Sequence, residues 1–163
     1  MTAGREIPLV AQAGSKPDQV GILVSDLMSA LPRWGPAGGW RIWEYGPEVL
    51  TRQEPAGFSM RVALSGTVPE IELIEPVDGP SIYLDWIEEH GYGIHHLGYV
   101  VEDVAATIEV MEAAGFPVIQ FGFGFGSDRS GGFAYFDTRP HLDVIVEAIE
   151  RPRARRSPEA EWP

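Results

Sequence analysis

Four side chains with metal-ligating atoms stand out in the chain: Gln19, Glu72, His96 and Glu147. Each glutamate interrupts an apolar stretch, Ile-Glu-Leu-Ile in the first case and Ile-Val-Glu-Ala-Ile in the second. A carboxylate that faces a protein core is destabilising unless it is paired, hydrogen-bonded or bound to a metal. Two carboxylates, an imidazole and an amide together suit a divalent cation. A strand with one polar face gives the same periodicity, so the pattern alone leaves both interpretations open.

An internal repeat of about 76 residues relates these four positions. The segment Asp18–Leu27 matches His95–Val104, and further along the chain Ile71–Glu75 matches Val146–Glu150. Superposing the two copies brings the glutamine over the histidine and one glutamate over the other. A repeat that keeps its order and spacing indicates a duplicated architecture, with equivalent places for all four donors.

Within each copy, the hydrophobic periodicity predicts a strand, a helix and then further strands. Asp26 and Asp103 occupy the expected N-cap positions of the two helices. Pro32 should keep the first helix short or irregular, because its ring clashes with the preceding turn. The predicted fold class is therefore α+β, built from two βαβββ modules.

The chain of 163 residues is long enough for one domain with its own core. We expect a single domain over residues 17–150, with modules at about 17–79 and 94–150 and a linking helix over 81–90. Residues 1–16 should form a flexible arm. The Pro- and Arg-rich residues 151–163 should form a flexible tail, because such chain ends are commonly solvated.

The composition excludes several classes of function. Hydrophobic residues make up 44% of the chain and charged residues 22%, which is typical of a globular protein. The absence of cysteine excludes disulfides, thiolate metal sites and cysteine nucleophiles. A net charge of −12 argues against nucleic acid as a partner, and no apolar run approaches the length of a membrane span. We expect a cytoplasmic protein.

Four segments of the chain resemble the vicinal oxygen chelate superfamily, most closely methylmalonyl-CoA epimerase and the glyoxalase I group. The segments are Asp18-Gln19-Val20-Gly21, Ile71-Glu72-Leu73-Ile74-Glu75-Pro76, Gly93-Ile94-His95-His96-Leu97 and Val144-Ile145-Val146-Glu147. The resemblance implies an open, curved sheet around one divalent metal ion (Zn, Ni, Co or Mn). It implies Gln19, Glu72, His96 and Glu147 as ligands, with Glu147 and then Glu72 as the catalytic groups. The cation would stabilise an enolate-like intermediate of a small oxygenated substrate.

Two positions depart from the pattern of the family. Gln19 stands where many relatives have histidine, although some glyoxalase I enzymes use glutamine there. This glutamine argues against an extradiol dioxygenase, whose iron site needs a second histidine. Met60 matches a glutamate that serves as an acid/base group in the epimerases, and methionine cannot transfer a proton. Glu44, or Tyr135 as the repeat partner of Met60, is the candidate replacement.

Several aromatic side chains are candidates for contact with the substrate. We expect the substrate pocket to be lined by Met60, Phe121, Phe123, Phe133 and Tyr135. Phe121 and Phe123 could equally pack on the core from an edge strand. His95 should point away from the site if its strand is regular, and its expected role is packing.

A metal-dependent isomerase or lyase of the glyoxalase or epimerase type is the leading hypothesis. The alternative is a metal-free protein that binds and sequesters a small molecule, similar to the bleomycin-resistance branch of the same superfamily. An acidic chain body with few arginines argues against a coenzyme A thioester as the substrate.

A homodimer is also expected, because an open curved sheet leaves strand edges that invite pairing. Trp34, Trp40 and Trp43 cluster around the first helix and second strand, and large aromatics are favoured anchors at interfaces. The competing interpretation is that these tryptophans fill the core of the monomer.

Overall fold

A computed structural model of the protein describes residues 5–163. The helices are α1 (Pro8–Gln12), α2 (Leu27–Trp34), α3 (Ile82–His90), α4 (Val104–Ala113) and α5 (Arg139–Leu142). The strands are β1 (Gln19–Leu23), β2 (Trp40–Tyr45), β3 (Arg52–Glu54), β4 (Ser59–Ser65), β5 (Glu70–Asp78), β6 (Gly93–Val100), β7 (Val118–Phe123), β8 (Gly132–Phe136), β9 (Ile145–Glu150) and β10 (Ala160–Trp162). None of these helices is long and apolar enough to cross a membrane.

The strands form one curled, open sheet in the order β10-β2-β4-β5-β1-β6-β9-β8-β7-β3. At its centre β1 runs antiparallel to β6, and each of these strands is parallel to the last strand of its own module, β5 or β9. The order β2-β4-β5-β1 of the first module is thus mirrored by β6-β9-β8-β7 of the second. This symmetry confirms the predicted α+β fold of two βαβββ modules.

The module helices begin where the capping residues predict. The carboxylate of Asp26 accepts a 2.7 Å hydrogen bond from the backbone N–H of Ser29, and Asp103 accepts one of 2.9 Å from Ala106. Each cap satisfies a backbone donor that a helix start leaves open. The helix α2 is short and ends two residues after Pro32.

Three clusters of buried side chains hold the sheet and helices together. One lies on the inner, concave face of the sheet and includes Trp43, Val62 and Tyr135. The other two lie between the outer face and the helices: one contains Leu31 of α2, and the other contains Met111 of α4. Helices α2 and α4 therefore cover the outer face, whereas Tyr83 of α3 packs with the concave cluster, and the rest of the concave side remains for a site.

Both chain ends are more ordered than the sequence suggests. Ile7 and Leu9 are buried in the same cluster as α4, because an apolar turn of helix completes that outer core. Residues 1–4 of the expected arm lie outside the described residues. At the other end, β10 pairs with β2, so the chain's last residues extend the sheet instead of forming a solvated tail.

The burial of two of the three tryptophans favours the interpretation that they fill the core of the monomer. Trp40 and Trp43 are each only 1% exposed within the single chain, whereas Trp34 is 44% exposed. The indole N–H of Trp40 donates to the carbonyl of Gly35, and that of Trp43 donates to the carbonyl of Arg156. Two of the three aromatics therefore belong to the monomer's own core.

Candidate metal centre

In the two central strands, the glutamine and the histidine each lie opposite a glycine of the other module. In the β1–β6 ladder Gln19 lies opposite Gly98, and His96 lies opposite Gly21. A Cβ atom at Gly21 would overlap the imidazole of His96, and one at Gly98 would lie 3.2 Å from the amide oxygen of Gln19. Each glycine thus leaves the space that the other module's donor occupies.

The two glutamates stand on the next strands outward, beside the same glycines. Glu72 of β5 is the register partner of Gly21, and Glu147 of β9 is the register partner of Gly98. Because side chains alternate between the faces of a strand, this register directs both carboxylates to the concave face. The sequence repeat therefore becomes a set of donors that converge from four adjacent strands.

Glu72, His96 and Glu147 approach one another closely. His96 Nε2 lies 3.0 Å from Glu147 Oε2 and 3.4 Å from Glu72 Oε2, and ligand atoms of the three residues all lie within 4.8 Å of one another. His96 and Glu147 are buried, and Glu72 is nearly so. None of these three facing atoms has a geometrically acceptable hydrogen-bond partner among the described residues.

Gln19 offers a fourth donor atom to the same pocket. Its amide nitrogen donates a 2.8 Å hydrogen bond to Glu70 Oε1, which fixes the orientation of the amide group. The amide oxygen, Gln19 Oε1, is buried and accepts no hydrogen bond from the described residues. A buried polar atom without a partner is destabilising unless a ligand or water satisfies it.

His95 does not lie where a regular strand would put it. The β1–β6 register shifts between Gly21 and Ile22, so His95 is the extra residue of a β-bulge, and both histidines are fully buried. Their Nδ1 atoms are 3.0 Å apart. The prediction that His95 points away from the site is therefore wrong, although the ring does pack against Tyr83, Trp86 and Tyr135.

The histidine pair fixes which nitrogen of His96 faces the carboxylates. Burial, reinforced by the charge of His96, lowers the pKa of His95 to about 2, so this ring is neutral. A neutral His95 whose proton is on Nε2 can accept, through Nδ1, a hydrogen bond from the Nδ1–H of His96. The Nε2 atom of His96 is left to face Glu72 and Glu147. Outer partners of this kind orient histidine ligands in metal sites.

Without a cation, the centre buries two carboxyl groups beside a single imidazole. Burial lowers the pKa of His96, but the negative charges of the nearby Glu147 and Glu72 outweigh burial and raise this pKa to about 9. Burial also raises the pKa of Glu72, and the nearby charge of Glu147 adds to that increase. The donors fit Zn²⁺, Ni²⁺, Co²⁺ or Mn²⁺, which bind imidazole and carboxylate groups and would replace the missing hydrogen bonds.

The donors open into a pocket with mostly apolar walls and a cavity volume of about 50 Å³. Met60, Phe133 and Tyr135 line it, as the sequence suggests, together with Tyr45 and Phe125. The hydroxyl of Tyr135 lies 2.8 Å from that of Tyr83, and its ring centroid lies 4.9 Å from that of His96. Burial keeps the pKa of Tyr135 well above its usual value, so the phenol stays protonated.

Phe121 and Phe123 are not in the pocket, contrary to the sequence-based expectation. Both pack with the outer cluster, where the Arg52 guanidinium lies 4.9 Å and 5.8 Å from their ring centroids. The alternation of β7 gives them that outer face. Gly124, with φ of 83°, then breaks the alternation and turns Phe125 inward, where its ring meets Tyr45 at 5.6 Å.

The two candidate replacements for the acid/base group that Met60 lacks occupy different places in the structure. Glu44 is exposed and forms an ion pair of 2.9 Å with Arg61, and it is absent from the pocket lining. Tyr135 lies in the pocket, but its ladder partner is Glu147, whereas the matching partner of Glu72 is Leu64. Tyr135 therefore corresponds structurally to Leu64, and its sequence spacing from Met60 is misleading.

Comparison with solved structures supports the fold. A hypothetical protein of Bacillus halodurans is 22% identical, with 87% of this chain and 98% of that chain covered and a TM-score of 0.58. Methylmalonyl-CoA epimerase from Mycobacterium tuberculosis is 20% identical, with coverage of 83% and 87% and a TM-score of 0.56. A Streptomyces coelicolor methylmalonyl-CoA epimerase variant in complex with 2-nitronate-propionyl-CoA is 16% identical, with coverage of 86% and 97% and a TM-score of 0.56.

Family membership follows from a match over most of the chain. A comparison with curated proteins found no match. The family model of the glyoxalase/bleomycin resistance protein/dioxygenase superfamily matches residues 18–136, which include both central strands and three of the four donors. Together with the mirrored modules, this match confirms the resemblance seen in the sequence. The chain belongs to the glyoxalase/bleomycin resistance protein/dioxygenase superfamily.

Proposed function

We propose that the protein is a metal-dependent isomerase or lyase that acts on a small oxygenated molecule through an enolate-like intermediate. The observation that carries this proposal is the buried group of Glu72, His96 and Glu147, whose facing atoms have no hydrogen-bond partner among the described residues. Gln19 would complete the ligand set with its free amide oxygen. A bound divalent cation would supply charge stabilisation for the developing enolate.

The side chains around the ligands determine which groups can accept a proton and which can donate a hydrogen bond. Glu147 is our candidate base, because its carboxylate lies beside both His96 and Tyr135 in the pocket. Glu72 is the second candidate, since burial raises its pKa and makes its carboxylate a stronger proton acceptor. Tyr135 would donate a hydrogen bond to a substrate oxygen through a phenol that does not ionise at neutral pH.

Met60 limits the choice of reaction. It lies in the pocket wall at a position that the resemblance assigns to an acid/base glutamate of the epimerases. A thioether cannot give or take a proton, and Glu44 is not in the pocket. Epimerisation by two carboxylates that flank the substrate is therefore not expected here, and we favour a reaction with a single carboxylate base.

A metal-free binding protein is the second candidate. The aromatic wall formed by Tyr45, Phe125 and Phe133 supports it, because flat aromatic surfaces enclose small organic ligands without any metal. The binding function and the enzyme function differ in what the four donors do. In a binding protein, protonated His96 would balance Glu147 while Glu72 held a proton, and no ion would be needed.

A homodimer and a cytoplasmic location complete the proposal. Trp34 and Tyr92, which are 44% and 56% exposed, lie in one groove at the outer side of the central strands. Exposed aromatics of this kind are suited to an interface with a second copy. Light scattering over a range of concentrations tests the dimer. The lack of cysteine is compatible with a reducing compartment.

Metal analysis of the purified protein tests the proposed function. We expect about one divalent ion per chain by elemental analysis after purification without chelator. His96→Ala should lose the ion. His90→Ala, which changes an exposed histidine at the end of α3, is the matched control and should keep it. A wild-type protein that stays metal-free in excess zinc, nickel, cobalt and manganese would overturn the enzyme proposal and favour the binding protein.

A further inference from the structure

Residues 151–162 form a strap across the open side of the curled sheet. The strap leaves the end of β9 in the second module and finishes as β10, which pairs with β2 at the far edge of the first module. Along its path, Arg151, Pro152 and Arg155 line the same cavity as Glu72 and Glu147. The strap is therefore part of the wall of the candidate site.

Both modules anchor the strap by hydrogen bonds. On the side of the second module, the backbone N–H of Ser127 donates to the carbonyl of Ala154 at 2.9 Å. On the side of the first module, the indole N–H of Trp43 donates to the carbonyl of Arg156 at 3.0 Å. Glu159 then donates its N–H to Ile42 at 2.9 Å, where β10 begins. These anchors hold the intervening residues over the pocket.

The four arginines of the strap fall into two pairs with different surroundings. Arg153 bonds to Asp128 at 3.2 Å, and Arg156 bonds to Glu159 at 2.6 Å; neither lines the cavity. Arg151 and Arg155 line the cavity, and neither forms an ion pair with a carboxylate of the described residues. Cationic side chains at a site, with no protein anion to neutralise them, remain available to an anionic ligand.

Arg155 is also held in place by an aromatic ring. Its guanidinium carbon lies 4.3 Å from the ring centroid of Trp43, which is a stacking distance for a cation on an aromatic face. Tyr45 lines the same cavity as Arg155, and burial raises the pKa of Tyr45 to about 12, so its phenol stays protonated. The donor fork of Arg155 is thus positioned at the pocket wall.

The charges at the site favour one kind of substrate. The chain carries a net charge of −12, which repels anions, and two of its carboxylates, Glu72 and Glu147, lie at the centre. A divalent ion would cancel those two charges, so Arg151 and Arg155 would leave the pocket positive. A carboxylate matches the planar, two-pronged donor set of a guanidinium. A cavity of about 50 Å³ under the strap admits only a small molecule.

We propose that the substrate is a small carboxylate whose carboxyl group binds Arg155 of the strap, while its other oxygens face the metal centre. The part of this inference that concerns the metal centre rests on the proposed function. The part that concerns Arg155 rests on the strap alone. The two parts can therefore fail separately.

The experiment compares two probes that differ in charge. The anionic probe is 2-oxobutanoate, and the neutral one is 2,3-pentanedione, in which a methyl ketone replaces the carboxylate. Binding is measured by titration calorimetry on the full chain, first metal-free and then loaded with zinc and freed of excess ion. We expect the wild type to bind the carboxylate at least ~10-fold more tightly than the diketone, as a charge-assisted hydrogen bond allows.

Variants of the strap identify the residue responsible. Arg155→Ala should abolish the preference for the carboxylate, and Arg155→Lys should retain part of it. Arg153→Ala is the matched control and should leave the preference unchanged, because Arg153 points to Asp128 outside the cavity. Equal binding of both probes by the wild type, or an undiminished preference in Arg155→Ala, would overturn the inference.

The zinc content of each sample separates this inference from the proposed function. If zinc binds and the carboxylate preference does not depend on Arg155, the inference fails while the metal centre stands. If zinc does not bind but the metal-free protein shows an Arg155-dependent preference, the assignment of Arg155 stands and the metal-dependent function fails.

Discussion

The two modules share one backbone plan, yet their donors are supported differently. In the first module, Gln19 is held by a hydrogen bond from its amide nitrogen to Glu70. In the second, His96 is held through its Nδ1 atom by His95, the extra residue of the β-bulge. The first arrangement presents a neutral oxygen and the second an imidazole nitrogen, so equivalent positions offer ligands of different strength.

The glutamates show the same contrast. Glu72 has Leu64 as its neighbour on β4, whereas Glu147 has Tyr135 on β8. Tyr135 in turn bonds to Tyr83 of the linking helix α3. The polar groups that orient ligands or protons therefore concentrate in the second module, while the first contributes much of the apolar wall. After a duplication, the backbone keeps the donors convergent, and side-chain changes divide the chemistry between the copies.

The largest expected difference between the modules concerns metal affinity. Glu147→Gln should weaken zinc binding by more than ~100-fold, because losing a charged ligand should exceed the ~10–100-fold cost of losing an outer partner. Gln19→Ala should weaken it by only ~10-fold, because a neutral amide oxygen is the weaker donor. Competition with a chromophoric zinc indicator measures both constants. Equal losses would show that the two modules hold the ion alike.

The glycines that face the donors give the next largest effect. Gly21→Ala should destabilise the metal-free protein by about 1–3 kcal/mol, since the added methyl group overlaps the buried ring of His96. Gly98→Ala should cost less, because its closest contact is the end of the flexible Ile149 side chain, at 2.7 Å. Urea denaturation measures both free energies of unfolding. A larger loss in Gly98→Ala would contradict the assignment of Gly21 to the space around His96.

The repeat made much of this fold and site predictable. The spacing of the two copies predicted the paired modules, and the alternation of apolar residues around Glu72 and Glu147 predicted two carboxylates on one sheet face. Both patterns depend only on the spacing of residues along the chain, so they can be recognised without knowing how the strands pair. The pairing register then brought these residues to within ligand distance of His96.

Other features depend on contacts that no local pattern encodes. The bulge at His95 arises where β1 and β6 pair, and alternation along one strand cannot reveal an extra residue in a ladder. Phe125 lies in the pocket because Gly124 has a positive φ. The Gly-Phe alternation before it is the only signal in the sequence that points to a change of direction there. The strap was missed because its anchors, such as Trp43 with Arg156, are far apart in sequence.

A pH dependence should distinguish the histidine of the second module from the glutamine of the first. The folded-state pKa of His96 is raised to about 9 from 6.5, so its protonation stabilises the metal-free protein below pH 6.5. This stability should be lost as the pH rises from 6.5 through 9, by at most about 1.4 kcal/mol per pH unit for one proton. The raised pKa of Glu72 acts in the same direction.

Thermal or urea unfolding across that pH range measures the effect. His96→Gln should weaken the dependence of the unfolding free energy on pH. Gln19→Ala should leave this dependence unchanged, because Gln19 does not titrate. Zinc should remove the decline in the wild type, since metal binding requires a deprotonated imidazole and strengthens as the pH rises. A metal-free wild type whose stability rises between pH 6.5 and 9 would contradict the paired state of His96.

The smallest effect comes from the hydroxyl pair that only the second module has. Tyr83 and Tyr135 are both fully buried, and their hydroxyls lie 2.8 Å apart. Tyr135→Phe should cost about 1 kcal/mol of unfolding free energy, because it leaves the Tyr83 hydroxyl without this partner. Tyr83→Phe should cost a similar amount. The double variant should cost clearly less than the sum, since removing both hydroxyls leaves no buried group unsatisfied.

Urea denaturation of the four proteins gives this coupling, and zinc content serves as the control, because neither tyrosine is a proposed ligand. Strict additivity would mean that each hydroxyl has another partner, and Tyr135 would then differ less from Leu64 of the first module than its position beside Glu147 indicates.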